Sequence, residues 1–129
     1  MRVFLVRHAE AAPGEPDALR PLTTNGHTTA QALGEQLAGH QPDAVVTSPL
    51  LRARETAAPI ALAANLVPEI EPGLAPGATV DSLREALTGR GETVVAVGHQ
   101  PDCAEIVLEL TGARVRFAPG AVVEIELDA

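Results

Sequence analysis

Three short runs of β-branched and aliphatic residues constrain this chain most: RVFLV at 2–6, DAVVT at 43–47 and TVVAV at 93–97. Each is bounded by polar or turn-forming residues, so each reads as a buried strand. The segments between them carry apolar residues at helical spacing. Strands alternating with helices assemble into a mostly parallel sheet covered on both faces. The expected fold class is therefore α/β, a three-layer sandwich with a mostly parallel central sheet and room for one antiparallel edge strand.

The helical segments follow from local signals. Residues 24–38 place Ala30, Leu33, Gly34 and Leu37 on one face, with Gly39 as a stop. Ser48 is expected to cap a helix that carries Pro49 in its first turn, runs to 64, and kinks or breaks at Pro59. Residues 79–88 form a shorter helix on Val80, Leu83 and Leu87, and 101–111 a further one stopped by Gly112. Residues 11–21 hold three prolines and a glycine and read as a loop; 66–77 is a Pro- and Gly-rich connection. Residues 115–117 and 121–127 are expected to close the fold as a hairpin, with Val123, Ile125 and Leu127 alternating with Glu124 and Glu126. Without repeats or linkers, residues 1–129 are expected to form one domain.

Composition narrows the function classes. A formal net charge of −8 and two aromatic residues leave no basic stripe or stacking platform for nucleic acid. No apolar run reaches membrane-spanning length, and the stretch 3–6 is too short for a signal-peptide core. The lone cysteine, Cys103, makes no internal disulfide, so the expected compartment is the cytoplasm. All nine cations are arginines, which excludes Schiff-base lysines and a P-loop lysine. Any phosphate must be held by Arg, His and backbone N–H.

Each strand leads directly into a polar motif. The first ends in Arg7-His8, the second leads to Ser48 and Arg52, and the third ends in Gly98-His99. In a parallel sheet these are all carboxyl ends, where open α/β sheets bind ligands. Two arginines, two histidines and two helix N-termini around one spot suit a phosphoryl group.

Four ordered motifs carry a resemblance: Leu5-Val6-Arg7-His8-Ala9-Glu10, Arg20-Pro21-Leu22-Thr23-Thr24-Asn25-Gly26, Ser48-Pro49-Leu50-Leu51-Arg52-Ala53-Arg54-Glu55-Thr56 and Gly98-His99. Together the chain resembles the histidine phosphatase (phosphoglycerate-mutase-like) superfamily, and its length and RPLTTNG segment look most like the SixA-type phosphohistidine phosphatases. The resemblance implies that His8 attacks phosphorus while Arg7, Arg52 and His99 hold the phosphoryl oxygens, without metal or cofactor. It also implies that Arg20 widens the anion pocket. Ser48 and Gly98 join the expected substrate-binding residues. The expected substrate is a phosphorylated protein or a small phosphorylated molecule.

The neighbouring arginines should lower the pKa of His8, a backbone carbonyl should fix its tautomer, and a protonated His99 would donate to a phosphoryl oxygen. Arg52 and Arg54 lie two apart on a helix and point apart, so Arg54 is expected at the surface. His27 and His40 are expected to be exposed, and Cys103 to fill core. Where the family has glycine after its histidine this chain has Ala9, which requires ordinary negative φ. No carboxylate occupies 72–77, so Glu10, Asp17 and Glu71 remain candidate acids; a substrate with a good leaving group, such as phosphohistidine, suits such a site. The rival readings are a small-molecule phosphomonoesterase, a non-catalytic phosphate-binding module, and a metal site built from His8, Glu10 and His99.

Overall fold

The computed structural model describes residues 1–128. Five strands form one sheet in the order β3-β2-β4-β1-β5: β1 is Arg2–Arg7, β2 Ala44–Thr47, β3 Glu69–Ile70, β4 Thr93–Gly98 and β5 Val122–Glu126. β4 lies parallel between β1 and β2, β3 extends the sheet in parallel, and β5 runs antiparallel along β1. The helices are α1 Thr24–Ala38, α2 Leu51–Ala63, α3 Val80–Leu87 and α4 Asp102–Thr111.

The side chains of β1 explain the layering. Val3 and Leu5 enter a core with Leu83, Leu87, Ile106 and Val107 from α3 and α4. Phe4 and Val6 enter a second core with Leu33, Leu37, Ala57 and Ile60 from α1 and α2. The central strands are thus buried on both faces, which is why they read as unbroken apolar runs.

Four local expectations need correction. The connection 66–77 is not plain loop, because residues 69–70 add β3 and Pro72–Leu74 forms a single 3₁₀ turn. The stretch 115–117 forms no strand among the described residues; β5 pairs with β1 instead of a hairpin partner. α2 does not break at Pro59 but runs through it. It packs so closely on α1 that a Cβ at Gly34 would lie 2.7 Å from the Pro59 carbonyl oxygen. Ser48 does not cap α2, whose N-cap is Leu50. The 11–21 segment is a loop around a 3₁₀ turn at Asp17–Leu19.

Candidate active site

Strand register builds the centre of the site. β1 and β4 pair Arg7 with Gly98, so the next residues, His8 and His99, leave the sheet side by side. Their ring centroids lie 5.3 Å apart. The backbone stays tied beyond the last pair: His8 N–H donates to Gly98 O at 3.1 Å, and Ser48 N–H to Val97 O at 3.0 Å. Gly98 therefore spends its carbonyl supporting His8.

His8 is 9% exposed. Its Nδ1 lies 2.7 Å from Ala9 O, an acceptor only, so the ring proton sits on Nδ1 and the Nε2 lone pair is free. Burial lowers the His8 pKa, and the charges of Arg52, Arg7 and Arg20 add to that; the Ala9 hydrogen bond pulls the other way. Ala9 is not among the residues with positive φ, as its side chain requires.

His99 is 3% exposed, and burial first, then His8 and Arg52, lowers its pKa to about 4. It is therefore neutral at physiological pH, so the condition for a charged donor, a protonated His99, is not met there. Its Nε2 lies 2.7 Å from Ser48 Oγ, and that oxygen accepts from Leu50 N–H at 3.2 Å. A hydroxyl oxygen can accept twice, so which partner donates follows the His99 tautomer: with the ring proton on Nδ1, the Ser48 hydroxyl donates to Nε2. Nδ1 is buried with no partner among the described residues, and so is Arg7 Nε. In the Nδ1-protonated tautomer the neutral imidazole presents a donor there.

The three arginines are held differently. Arg7 Nη1 donates to Phe117 O at 2.9 Å. Arg52, 7% exposed, donates from Nη1 to Asp17 O at 2.9 Å and from Nη2 to Asp17 Oδ2 at 3.2 Å. Arg20 donates from Nε to Ala12 O at 2.8 Å and from Nη1 to Asp17 Oδ1 at 3.0 Å. Two of the five guanidinium N–H groups of Arg52 are used this way, leaving three for an anion.

That arrangement sorts the candidate acids. Arg20 first, then Arg52, holds the Asp17 carboxyl below its ordinary range, so at neutral pH Asp17 is an acceptor and not a proton donor. Glu10 accepts from the Thr23 hydroxyl at 2.7 Å, and Glu71 is paired with Arg90. Arg54 is half-buried rather than free at the surface, its Nε donating to Pro49 O at 2.9 Å. His27 and His40 are exposed. Cys103 is buried and its thiol is pushed up to about 12, above all by desolvation, so no thiolate forms there at neutral pH. Among the described residues no group of three or more His, Cys, Asp or Glu could hold a metal ion.

The RPLTTNG segment is mostly scaffold. Leu22 N–H donates to Glu55 Oε1 at 2.8 Å, and Thr23 caps α1 by accepting from Gly26 N–H at 2.9 Å. Thr23 N–H donates to Glu10 O at 3.0 Å, and a Cβ at Gly26 would run into that same carbonyl oxygen. Only Arg20 reaches the arginine cluster. Sequence reasoning missed Thr56, fully buried and hydrogen-bonded to Ala9 N–H. The available signal was its position one turn beyond Arg52, between small apolar neighbours on the same face.

Known proteins resemble this chain in sequence and in fold. The family model described as "Histidine phosphatase superfamily (branch 1)" matches residues 3–76. The phosphohistidine phosphatase SixA of Escherichia coli (strain K12) is 32% identical, over 99% of this chain and 86% of its own. An uncharacterized protein of Picosynechococcus sp. is 39% identical over 81% of this chain and 70% of its own. The solved structure of the protein histidine phosphatase SixA complexed with tungstate superposes with a TM-score of 0.86 at 33% identity, covering 99% of this chain and 89% of that one.

Proposed function

The chain belongs to the histidine phosphatase superfamily, and from that premise we propose that it is a phosphatase that removes phosphoryl groups from phosphohistidine in a protein, through a covalent intermediate on His8. The observation that carries this reading is the His8 Nδ1–Ala9 O hydrogen bond, which leaves a nucleophilic lone pair within the field of Arg52 and Arg7.

The His8 Nε2 lone pair attacks phosphorus, and the bond from phosphorus to the substrate ring nitrogen breaks. Its electron pair returns to that nitrogen, and the ring leaves as neutral imidazole because its other nitrogen keeps a proton. Arg7, Arg52 and the neutral Nδ1–H of His99 hold the three phosphoryl oxygens, where charge must be compensated. Arg20 adds to the positive field. Ser48 acts through His99, by donating to its Nε2 in that tautomer. Phospho-His8 keeps its Nδ1–H on Ala9 O, so the ring stays protonated and leaves well when water attacks phosphorus. The released group is inorganic phosphate, and the water gives up one proton.

Substrate class follows from the acid. Asp17, the carboxylate on the phosphate arginines, is ionised. Alkyl phosphate esters need a proton on their leaving oxygen, whereas a protonated phosphoimidazole does not. Phosphohistidine therefore fits this site better than a sugar phosphate. The lone buried thiol suits a reducing cytoplasm, where we place the protein, and no helix among the described residues is long and apolar enough to cross a membrane.

The test is turnover of a phosphohistidine protein against a panel of alkyl and aryl phosphates, with His8→Ala as control. Preferred hydrolysis of phosphohistidine, lost in His8→Ala, is expected, with label trapped on His8 when the reaction is quenched cold and without acid. Equal or faster turnover of alkyl esters would assign the protein to small-molecule phosphomonoesters. Phosphate binding without turnover of any substrate would make it a binding module.

A further inference from the structure

The peptide after the nucleophile is clamped at both ends. His8 O accepts from Gly120 N–H, which it shares with Arg7 O, each at 3.1 Å, and Ala9 N–H donates to Thr56 Oγ1 at 3.0 Å. Thr56 in turn donates its hydroxyl proton to Arg52 O at 2.8 Å, one helical turn back. With its proton committed to a carbonyl, the threonine oxygen can only accept from Ala9. The next carbonyl along the chain, Ala9 O, is the one that takes the proton of His8 Nδ1. Both Ala9 and Thr56 are fully buried, so no water competes for either contact.

We propose that Thr56 is a positioning residue for catalysis: its hydroxyl sets the Ala9 backbone and thereby holds His8 in the tautomer with a free Nε2. The same oxygen ties the nucleophile's loop to the helix that carries Arg52. It thus fixes the distance between the attacking nitrogen and the guanidinium that receives the phosphoryl oxygens. A mid-helix threonine bonded to the carbonyl four residues back is common and needs no function. What sets Thr56 apart is the second bond, across the site, to the one residue whose carbonyl orients the nucleophile. Without that acceptor, Ala9 N–H is buried and unpaired, and relieving it requires turning the peptide that His8 depends on.

The inference rests on His8 as nucleophile, and its test separates the two claims. Thr56→Val keeps the shape and removes the acceptor; Thr56→Ser keeps the acceptor and removes the methyl. Thr56→Val is expected to lower kcat by about 10- to 100-fold with KM changed by less than about threefold, while Thr56→Ser stays within about threefold of wild type. Because the Ala9 hydrogen bond raises the His8 pKa, its loss should also move the acid limb of kcat/KM to lower pH. Nitrogen-15 NMR of the ligand-free protein reads the tautomer directly: one protonated Nδ1 in wild type and Thr56→Ser, a mixture in Thr56→Val. If Thr56→Val does not fold, Thr56→Ala takes its place in every measurement. Wild-type kcat and an unchanged His8 tautomer in the acceptor-free variant would overturn the proposal. So would a Thr56→Ser variant as impaired as Thr56→Val, since packing of the methyl would then be the cause. Activity persisting in His8→Ala would sink the nucleophile reading alone, and the NMR comparison would still judge Thr56.

Discussion

The floor of the site and its rim are built by different means. On the floor, His8, His99, Ser48, Arg52 and Thr56 are all buried, and strand register or paired hydrogen bonds fix each of them. On the rim, the 3₁₀ turn Asp17–Leu19 has no buried residue, and Leu19 is 58% exposed. Its link to the floor is the hydrogen bonding of Asp17 with Arg52. Buried, doubly held groups preorganise chemistry, whereas exposed ion pairs contribute little and rearrange readily. The contrast divides labour: the floor attacks and stabilises, and the rim adapts to what is brought.

The sharpest way to break the comparison is at the floor. His8→Ala should reduce phosphatase turnover by at least about 10⁴-fold, because the covalent step runs through the Nε2 of that residue. Steady-state kinetics on phosphohistidine protein measure this. Residual turnover near wild type would mean that water attacks directly and that the floor only binds.

The two arginines on Asp17 put floor against rim directly. Arg52→Ala should cost about 10²- to 10³-fold in kcat/KM, the scale for removing a preorganised donor to a developing charge. Arg20→Ala should cost no more than about tenfold, since its guanidinium is half-exposed and reaches the site through Asp17. Equal losses would erase the distinction between the two regions.

How far the sequence reveals each region follows the same line. The strands β1, β2 and β4 were legible because burial on both faces demands unbroken apolar runs, and α1 because its cap and stop are chemical. Once the strands are placed, His8, Ser48 and His99 must converge. β3 was not legible, since two exposed residues carry no periodicity. The 115–117 stretch was misread because apolar alternation signals a half-buried segment, not what it pairs with; Phe117 is buried and lends its carbonyl to Arg7. Ser48 does not cap as expected: a serine before proline signals a cap, but its hydroxyl is hydrogen-bonded to a histidine 51 residues away. The pairing of Asp17 with Arg52 spans a proline-rich loop and depends on a path that no local rule specifies.

Acid should probe the floor as a matter of stability. The pKa of His99 is about 4 in the fold against 6.5 unfolded, so between those values the unfolded chain binds more protons. Stability is then complete above about pH 6.5 and is lost as the pH falls towards 4. The lowered pKa of His8 acts in the same direction, whereas that of Asp17 acts only below its ordinary value of 3.8. Calorimetry should show Tm falling by roughly 5–10 °C from pH 7 to pH 4.5, with a flatter profile in His99→Asn. A flat wild-type profile would mean that His99 accepts a proton in place, and that the floor is less rigid than its hydrogen bonds suggest.

The smallest effect belongs to the rim. Asp17 places an ionised carboxylate on the two arginines that an incoming phosphoryl group also needs. It therefore competes with substrate and product, but with a side chain that is 61% exposed and strongly screened. Asp17→Asn keeps the acceptor oxygen and removes the charge, so inorganic phosphate should inhibit about threefold more tightly, within the range expected of an exposed ion pair. Raising the salt concentration should shrink the difference, because screening acts on exposed charges first. Tighter binding together with slower turnover would fit a carboxylate whose work is to release phosphate. Weaker phosphate binding would mean that Asp17 braces Arg52 rather than competing for it, and the rim would then belong with the floor.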